Sequence, residues 1–244
     1  MGRCSNRHAP AATCTTRASA EENSNPRRQT HLNGMTQPLI VFSHGNSFPA
    51  STYRVMLEAV RARGFRVEAI DKFGHDPRYP VTDNWPHLVQ QLTDFATPLA
   101  KDSPVFLVGH SLGGILSMMV AAKHPELVRG VVLLDSPMLG GWKAKLLKVG
   151  KRVPGAEVFS PAAISRKRRT SWASEAEVLA HFQSKKAFAK WHPQVLQDYV
   201  TYGTHDEQTA QGTRRVLSFD RDVESAIYNG LPDHLENYFK LHPL

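Results

Sequence analysis

The chain has 244 residues, 41% of them hydrophobic, which is enough for one sizeable core or for a core with an inserted subdomain. No apolar run approaches the roughly 20 residues that span a bilayer, and no signal peptide is recognisable, so we expect a cytoplasmic protein without a membrane span. The net charge of +8 comes from scattered basic residues rather than from an aromatic-interleaved basic stripe, so nucleic acid is not an expected partner.

The first 34 residues are predicted to be a disordered extension. They contain a single Leu and no Val, Ile, Phe, Tyr or Trp, so they cannot bury enough apolar area to offset their ordering entropy. Met35, which precedes the first predicted strand, is a hypothetical start of translation. Both cysteines, Cys4 and Cys14, lie in this extension, so neither a disulfide framework nor a cysteine metal site is expected in the folded part.

Residues 35–138 alternate between apolar strands and amphipathic helices. The patterns predict strands at 38–43, 65–71, 105–109 and 128–135, and helices at 51–63, 84–100 and 112–124. Alternation at these lengths is typical of a parallel sheet that helices cover on both faces. The fold class is therefore predicted to be α/β, with a doubly wound, mostly parallel sheet.

After Asp135 this alternation ends. Residues 139–230 contain several helical patterns and no clear strand–helix–strand unit, which predicts a mostly helical insertion. Residues 231–244 contain one more helical pattern, "PDHLENYFKLH", which we interpret as a helix that returns to the core. Within the insertion, the basic cluster Arg166–Arg169 is interpreted as a helix face exposed to solvent.

The sequence Gly109-His110-Ser111-Leu112-Gly113 lies between a predicted strand and a predicted helix. A G-x-S-x-G motif at such a turn is typical of a nucleophile elbow, in which a strained backbone exposes the serine hydroxyl above the sheet. The two glycines leave room for the turn, and the helix N-terminus stabilises the negative charge that develops during acyl transfer. Ser111 is therefore the candidate nucleophile.

A second motif, "VFSHGNSFPAS", follows the first predicted strand. A tight turn after His44 and Gly45 would present a backbone N–H beside the serine. The backbone N–H groups of Asn46 and Leu112 are therefore predicted to form an oxyanion hole, in which each donor contributes about 3 kcal/mol to catalysis.

The segments "HGNSFPAS", "GHSLGG" and "VVLLDSP", in this order and spacing, resemble the α/β-hydrolase fold superfamily. The resemblance covers residues 38–138, and the region after them resembles the lid that many members insert at this point. It implies a hydrolase with a serine, a histidine and an acid, and with neither a metal nor an organic cofactor. Haloalkane dehalogenases and epoxide hydrolases have similar loops but carry aspartate at the elbow, so the substrate class stays open.

The histidine and the acid that would accompany Ser111 are not evident. The superfamily places its catalytic histidine after the last strand, downstream of the lid, whereas His234 and His242 follow no predicted strand. His44 and His110 lie inside the two motifs, where the superfamily uses them structurally. Asp135, at the end of a predicted strand, is a candidate acid, and Asp220 is an alternative that would need a further strand after it.

Two functions remain open at this point. The first is a serine hydrolase that acts on a small apolar ester, thioester or related acyl bond, with the lid shaping the pocket. The second is an incomplete or non-catalytic homologue that binds a small ligand, since the C-terminal strands expected after the lid are not evident before Leu244. Their absence is expected to leave one apolar edge of the sheet uncovered.

Overall fold

The computed structural model describes residues 37–137, 161–235 and Tyr238. The predicted disordered extension, the start of the predicted insertion and most of the predicted C-terminal helix lie outside the described residues. Of that last helix, residues 231–235 are not helical, whereas Tyr238 is. Within the described residues, no helix is both long and apolar enough to cross a membrane.

The central sheet has four parallel strands. They are β1 (Leu39–Ser43), β2 (Arg66–Ala69), β3 (Val105–His110) and β4 (Val128–Leu134), in the spatial order β2-β1-β3-β4. The connecting helices are α1 (Arg54–Arg61), α2 (Pro86–Leu99) and α3 (Leu112–Lys123), with 3-10 turns at Ala50–Tyr53 and Pro125–Leu127. The prediction of an α/β fold with a parallel sheet is confirmed.

The main core lies where helices α2 and α3 pack against the sheet. Each fully buried aliphatic side chain stabilises the fold by about 1.5–3 kcal/mol relative to an exposed one. Pro86 is the first residue of α2, a position at which its missing N–H costs no helical hydrogen bond. The buried side chains of this core include Leu88, Leu92, Leu107, Ile115, Leu116 and Met119.

Residues 161–230 contain four helices and a small antiparallel sheet. The helices are α4 (Pro161–Arg166), α5 (Glu175–Gln183), α6 (Pro193–Tyr202) and α7 (Arg221–Asn229). The strands are β5 (Ser171–Trp172), β6 (Thr204–Thr209) and β7 (Gly212–Leu217), in the order β5-β7-β6.

The prediction of a mostly helical insertion missed this antiparallel sheet. The reason is composition: β6 has the sequence THDEQT and β7 has the sequence GTRRVL, and most of their residues are exposed or half-buried. Such strands lack the apolar alternation by which a half-buried strand is recognised. They are held instead by their mutual backbone pairing and by a short turn that ends at Gly212, whose φ is 111°.

The basic cluster Arg166–Arg169 also differs from its prediction. Helix α4 ends at Arg166, and Arg168 turns inward to donate hydrogen bonds of 2.8 Å to the Glu224 carboxylate and to the Tyr199 hydroxyl. The side chain of Glu224 is only 6% exposed, so an unpaired charge there would be costly. The prediction of a wholly solvated face is therefore wrong for Arg168, because a buried carboxylate requires its charge.

Strand β4 is an edge of the central sheet. Among the described strands it pairs with β3 alone, and its residues Val132 and Leu133 are 47% and 39% exposed. The predicted uncovered apolar edge is thus present in the described part of the chain.

Candidate functional site

The ends of β1 and β3 bring the two sequence motifs side by side. These strands are parallel neighbours, and Ser43 at the end of β1 pairs with Gly109 near the end of β3. The chain therefore leaves both strands at the same edge of the sheet. The N–H of Gly113 then donates a 3.1 Å hydrogen bond to the carbonyl oxygen of His44, which ties the two loops together.

Ser111 occupies a strained backbone conformation between β3 and α3. Its φ is 51° and its ψ is −113°, a combination that residues other than glycine rarely adopt. Its N–H donates a 3.0 Å hydrogen bond to the carbonyl oxygen of Leu134 in β4, which helps to hold this conformation. The strand–turn–helix position predicted for Ser111 is therefore the one observed.

Glycine is required on both sides of this serine. A Cβ atom on Gly109 would overlap the carbonyl group of Gly113, and one on Gly113 would overlap the carbonyl oxygen of Ser43. These neighbours are backbone atoms, so no change of rotamer relieves either overlap. The close approach of α3 to β1 thus depends on Gly113.

Two backbone N–H groups near the serine donate no hydrogen bond to a described residue. Gly45 to Phe48 form a turn in which the Phe48 N–H donates to the Gly45 carbonyl oxygen at 3.1 Å, with Asn46 inside the turn. Within the described residues, neither the N–H of Asn46 nor that of Leu112 makes a hydrogen bond, whereas the N–H groups of Ser111 and Gly113 do. The two N–H groups predicted to form an oxyanion hole therefore have no acceptor among the described residues.

The side chain of Asn46 is anchored away from the serine. It is buried, and its Nδ2 donates a 3.0 Å hydrogen bond to the carbonyl oxygen of Glu224 in α7. Helix α7 is fixed from a second side, because the indole Nε1 of Trp85 donates at 3.0 Å to the carbonyl oxygen of Ile227. These two bonds hold α7 in place over the edge of the sheet where the motifs meet.

A cavity of about 160 Å³ opens beside Ser111. Its walls combine the first residues of α3 with residues of α7 and of the segment that follows it. Because most of these side chains are apolar, the cavity favours an apolar group next to the serine hydroxyl. The lining residues are Asn46, Trp85, Ser111, Leu112, Ile115, Pro137, Pro161, Ile227, Tyr228, Leu231, Pro232 and Leu235.

His44 is a fully buried structural residue. Its Nδ1 donates to the carbonyl oxygen of Gly45 at 2.8 Å, and its Nε2 accepts from the N–H of Phe73 at 2.9 Å. Both ring nitrogens are thus engaged with the backbone of neighbouring loops, which leaves neither for catalysis.

The burial of His44 should make the fold sensitive to acid. Burial lowers the pKa of His44 from 6.5 to about 4. Between pH 4 and pH 6.5 the unfolded chain binds a proton at this residue that the folded chain does not. The free energy of unfolding is therefore highest above pH 6.5 and decreases as the pH falls towards 4. We expect the free energy of unfolding to drop by about 3 kcal/mol from pH 7 to pH 4 through this group.

Urea unfolding at pH 7, 5.5 and 4 measures this effect. His44→Gln should flatten the pH dependence of the free energy of unfolding, whereas the control His87→Gln, at an exposed position, should keep the wild-type profile. An unchanged profile in His44→Gln would show that another group causes the acid sensitivity.

No described histidine forms a hydrogen bond with Ser111. Nδ1 of His110 lies 2.6 Å from the Tyr53 hydroxyl, which also accepts the N–H of Gly45 at 3.0 Å. Nδ1 of His234 lies 3.1 Å from the Asn84 side-chain oxygen, and its Nε2 lies 3.4 Å from the hydroxyl of Tyr238. His242 lies outside the described residues.

The two candidate acids have different surroundings. Asp135 follows β4 directly, has a φ of 46° and is exposed, and within the described residues it forms no hydrogen bond with a histidine. Its charge raises the pKa of His110, although burial of that ring outweighs this and lowers the pKa. Asp220 caps helix α7, because its Oδ1 accepts the N–H groups of Asp222 and Val223 at 2.6 and 3.0 Å.

The protein has clear relatives of known sequence. A model of the alpha/beta hydrolase family matches residues 40–235. The mouse sn-1-specific diacylglycerol lipase ABHD11 is 30% identical over 138 residues, which are 54% of this chain and 45% of the lipase. The pyrethroid hydrolase of Sphingobium wenxiniae is 32% identical over 108 residues, 42% of this chain and 37% of that enzyme. The chain thus spans less than half the length of these curated relatives.

Solved structures with the same fold extend over more of the chain. The crystal structure of E-2-(acetamidomethylene)succinate hydrolase has a TM-score of 0.61 at 20% identity, covering 84% of this chain and 69% of that one. The thioesterase domain from the curacin biosynthetic pathway has a TM-score of 0.59 at 19% identity, covering 84% and 70%. Together with the family match over most of the described residues, these findings confirm the resemblance: the chain belongs to the alpha/beta hydrolase family.

Proposed function

We propose that this protein is a serine hydrolase that acts on an apolar ester, thioester or related acyl bond. Ser111 is the proposed nucleophile, and the backbone N–H groups of Asn46 and Leu112 are the proposed oxyanion donors. Membership of the alpha/beta hydrolase family supports hydrolysis as the reaction, and the lipase and thioesterase relatives support an acyl bond as its target.

The observation that carries this proposal is the conformation of Ser111 between two N–H groups without acceptors and an apolar cavity. Attack of the serine oxygen on a carbonyl carbon would move negative charge onto the carbonyl oxygen. Fixed backbone donors stabilise that charge more strongly in a dry cavity than in water, since they need no reorganisation. The apolar walls, contributed in part by α7 of the proposed lid, would hold the acyl group at the serine.

Labelling with a fluorophosphonate tests the nucleophile. We expect Ser111 to react faster than any other serine of the chain, because its hydroxyl lies at a helix N-terminus beside the two proposed donors. Mass spectrometry of the labelled protein locates the adduct. Ser111→Ala should abolish the labelling, and Ser103→Ala, at an exposed loop position, should leave it unchanged. An adduct on a different serine, or equal labelling of Ser111→Ala, would refute the assignment.

A second candidate is a non-catalytic homologue that binds a small ligand in the same cavity. The observation in its favour is that no described histidine forms a hydrogen bond with Ser111, so none is in place as a general base for the serine. Turnover measurements distinguish the two candidates.

A further inference from the structure

A second, larger cavity adjoins the one at Ser111. It measures about 770 Å³, and the two cavities share Pro161 and Tyr228 in their walls. Ser47, the residue after Asn46, also lines it. The larger cavity is thus placed to receive a further part of a molecule whose acyl bond lies at Ser111.

Part of this larger cavity is apolar. Phe48, Phe182 and Phe188 contribute to its walls, and the rings of Phe182 and Phe188 pack with their centroids 4.8 Å apart. Ile164, which is 74% exposed, adds a further apolar side chain. Such walls fit a hydrocarbon or aromatic body rather than a small hydrophilic ion.

The remaining walls carry an excess of positive charge. Lys167, Arg168, Arg169 and Lys185 line the cavity, against the single carboxylate of Glu224 among the described lining residues. Two of these charges are already paired: Arg168 forms an ion pair with the buried Glu224 at 2.8 Å, and Arg169 forms an exposed ion pair with Glu177, outside the cavity, at 2.7 Å.

The other two charges have no such partner. Lys167 and Lys185 are exposed, and neither forms an ion pair with a described residue. The cavity thus presents two ammonium groups beside its aromatic wall that no described carboxylate compensates.

His181 lines the same cavity and lies near these positive charges. Burial lowers the pKa of its imidazole, and the nearby charges of Lys185, Arg169 and Arg168 lower the pKa further. The histidine is therefore neutral at pH 7, and the positive potential comes from the lysine and arginine side chains.

We propose that the larger cavity binds the anionic end of an amphipathic ligand, in which an apolar chain carries a carboxylate or a phosphate. Lys167 and Lys185 pair with the anion, while Phe48 and Phe188 contact the apolar part. This inference deepens the proposed function, because it assigns a negatively charged arm to the acyl substrate of Ser111. It also modifies the wholly apolar substrate expected from the sequence.

Binding of four simple probes to the intact chain tests the proposal without requiring turnover. The probes are octyl phosphate, octanoate, octan-1-ol and inorganic phosphate, titrated by isothermal calorimetry at low salt. We expect octyl phosphate and octanoate to bind about tenfold more tightly than octan-1-ol, since two exposed charge pairs each contribute modestly. Inorganic phosphate should bind more weakly than octyl phosphate because it lacks the apolar chain.

A double variant locates the site. Lys167→Gln with Lys185→Gln should abolish the preference for the charged probes and leave the affinity for octan-1-ol unchanged. The matched control, Lys101→Gln with Lys123→Gln, removes the same number of exposed positive charges outside the cavity and should bind like the wild type. All four positions are exposed, so these variants are expected to fold, which their melting temperatures verify.

Three results would overturn the proposal. The first is that the wild type binds octyl phosphate and octan-1-ol with equal affinity. The second is that the double variant at Lys167 and Lys185 still prefers the charged probes. The third is that inorganic phosphate binds as tightly as octyl phosphate. Fluorophosphonate labelling does not use these lysines, so labelling of Ser111 with failed anion binding would leave the proposed function intact. Anion binding without labelling would instead support a ligand-binding homologue.

Discussion

With only the catalytic groups found among the described residues, the chain should hydrolyse p-nitrophenyl butyrate about a millionfold more slowly than the roughly 10 per second that is typical of enzymes. The reason is the environment of the Ser111 hydroxyl, to which no described histidine forms a hydrogen bond. A serine without a general base remains a poor nucleophile, even beside well-placed oxyanion donors. In the serine protease subtilisin, losing the histidine alone costs about as much as losing all three catalytic residues. Ser111→Ala should therefore be scarcely slower than the wild type.

The assay is ester turnover by purified protein at pH 7 to 9, with Ser111→Ala as the matched blank. A rate near 10 per second that Ser111→Ala abolishes would contradict this expectation. It would show that a histidine of this chain acts as the base. His234→Ala and His242→Ala would then identify it, since both lie late in the sequence, where the superfamily places its catalytic histidine.

Gly113→Ala should destabilise the fold by more than about 3 kcal/mol, beyond the usual range for overpacking. The added methyl group would overlap the carbonyl oxygen of Ser43, so α3 must move away from β1 or the strand must bend. Either shift would also break the hydrogen bond between the Gly113 N–H and the His44 carbonyl oxygen. The loss is therefore steric and is not relieved by rotating a side chain.

Urea unfolding followed by circular dichroism measures this loss. Gly64→Ala is the matched control, because its Cβ would meet open space although its φ is 88°. The free energy of unfolding of that control should decrease by only about 1–2 kcal/mol, which is the cost of a left-handed backbone conformation for alanine. The steric argument is wrong if the free energy of unfolding of Gly113→Ala lies within about 1 kcal/mol of the wild-type value, because α3 would then move away from β1 at little cost.

The sequence predicted the parts of the protein that depend on local pattern. The strand before Ser111 and the helix after it follow from an apolar run and a 3.6-residue periodicity, and Gly109 and Gly113 fix the turn between them. Pro86 likewise marked the first turn of α2, where the structure has it. These features could be predicted because each is encoded within one short stretch of consecutive residues.

The remaining parts of the site depend on contacts between distant segments. Trp85 and Tyr228 both line the cavity at Ser111, but they are 143 positions apart in the chain and neither belongs to a motif. Arg168 was interpreted as solvated because nothing local shows that a buried Glu224 lies against it. No periodicity within one segment carries such information, so a single sequence could not reveal these contacts.

Strand β3, which ends at the turn of Ser111, is a central strand: within the described residues it pairs with β1 on one side and with β4 on the other. Amide protons of a central strand exchange with solvent only when a large part of the structure opens, whereas those of an edge strand such as β4 exchange through smaller openings. The turn at Ser111 thus follows a strand whose amide protons should exchange only when a large part of the structure opens. Helix α7 and the segment after it, which form other walls of its cavity, belong to the same core through the buried side chains of Ile227 and Leu235. The amide protons of α7 should therefore also exchange slowly, together with those of the core around the serine.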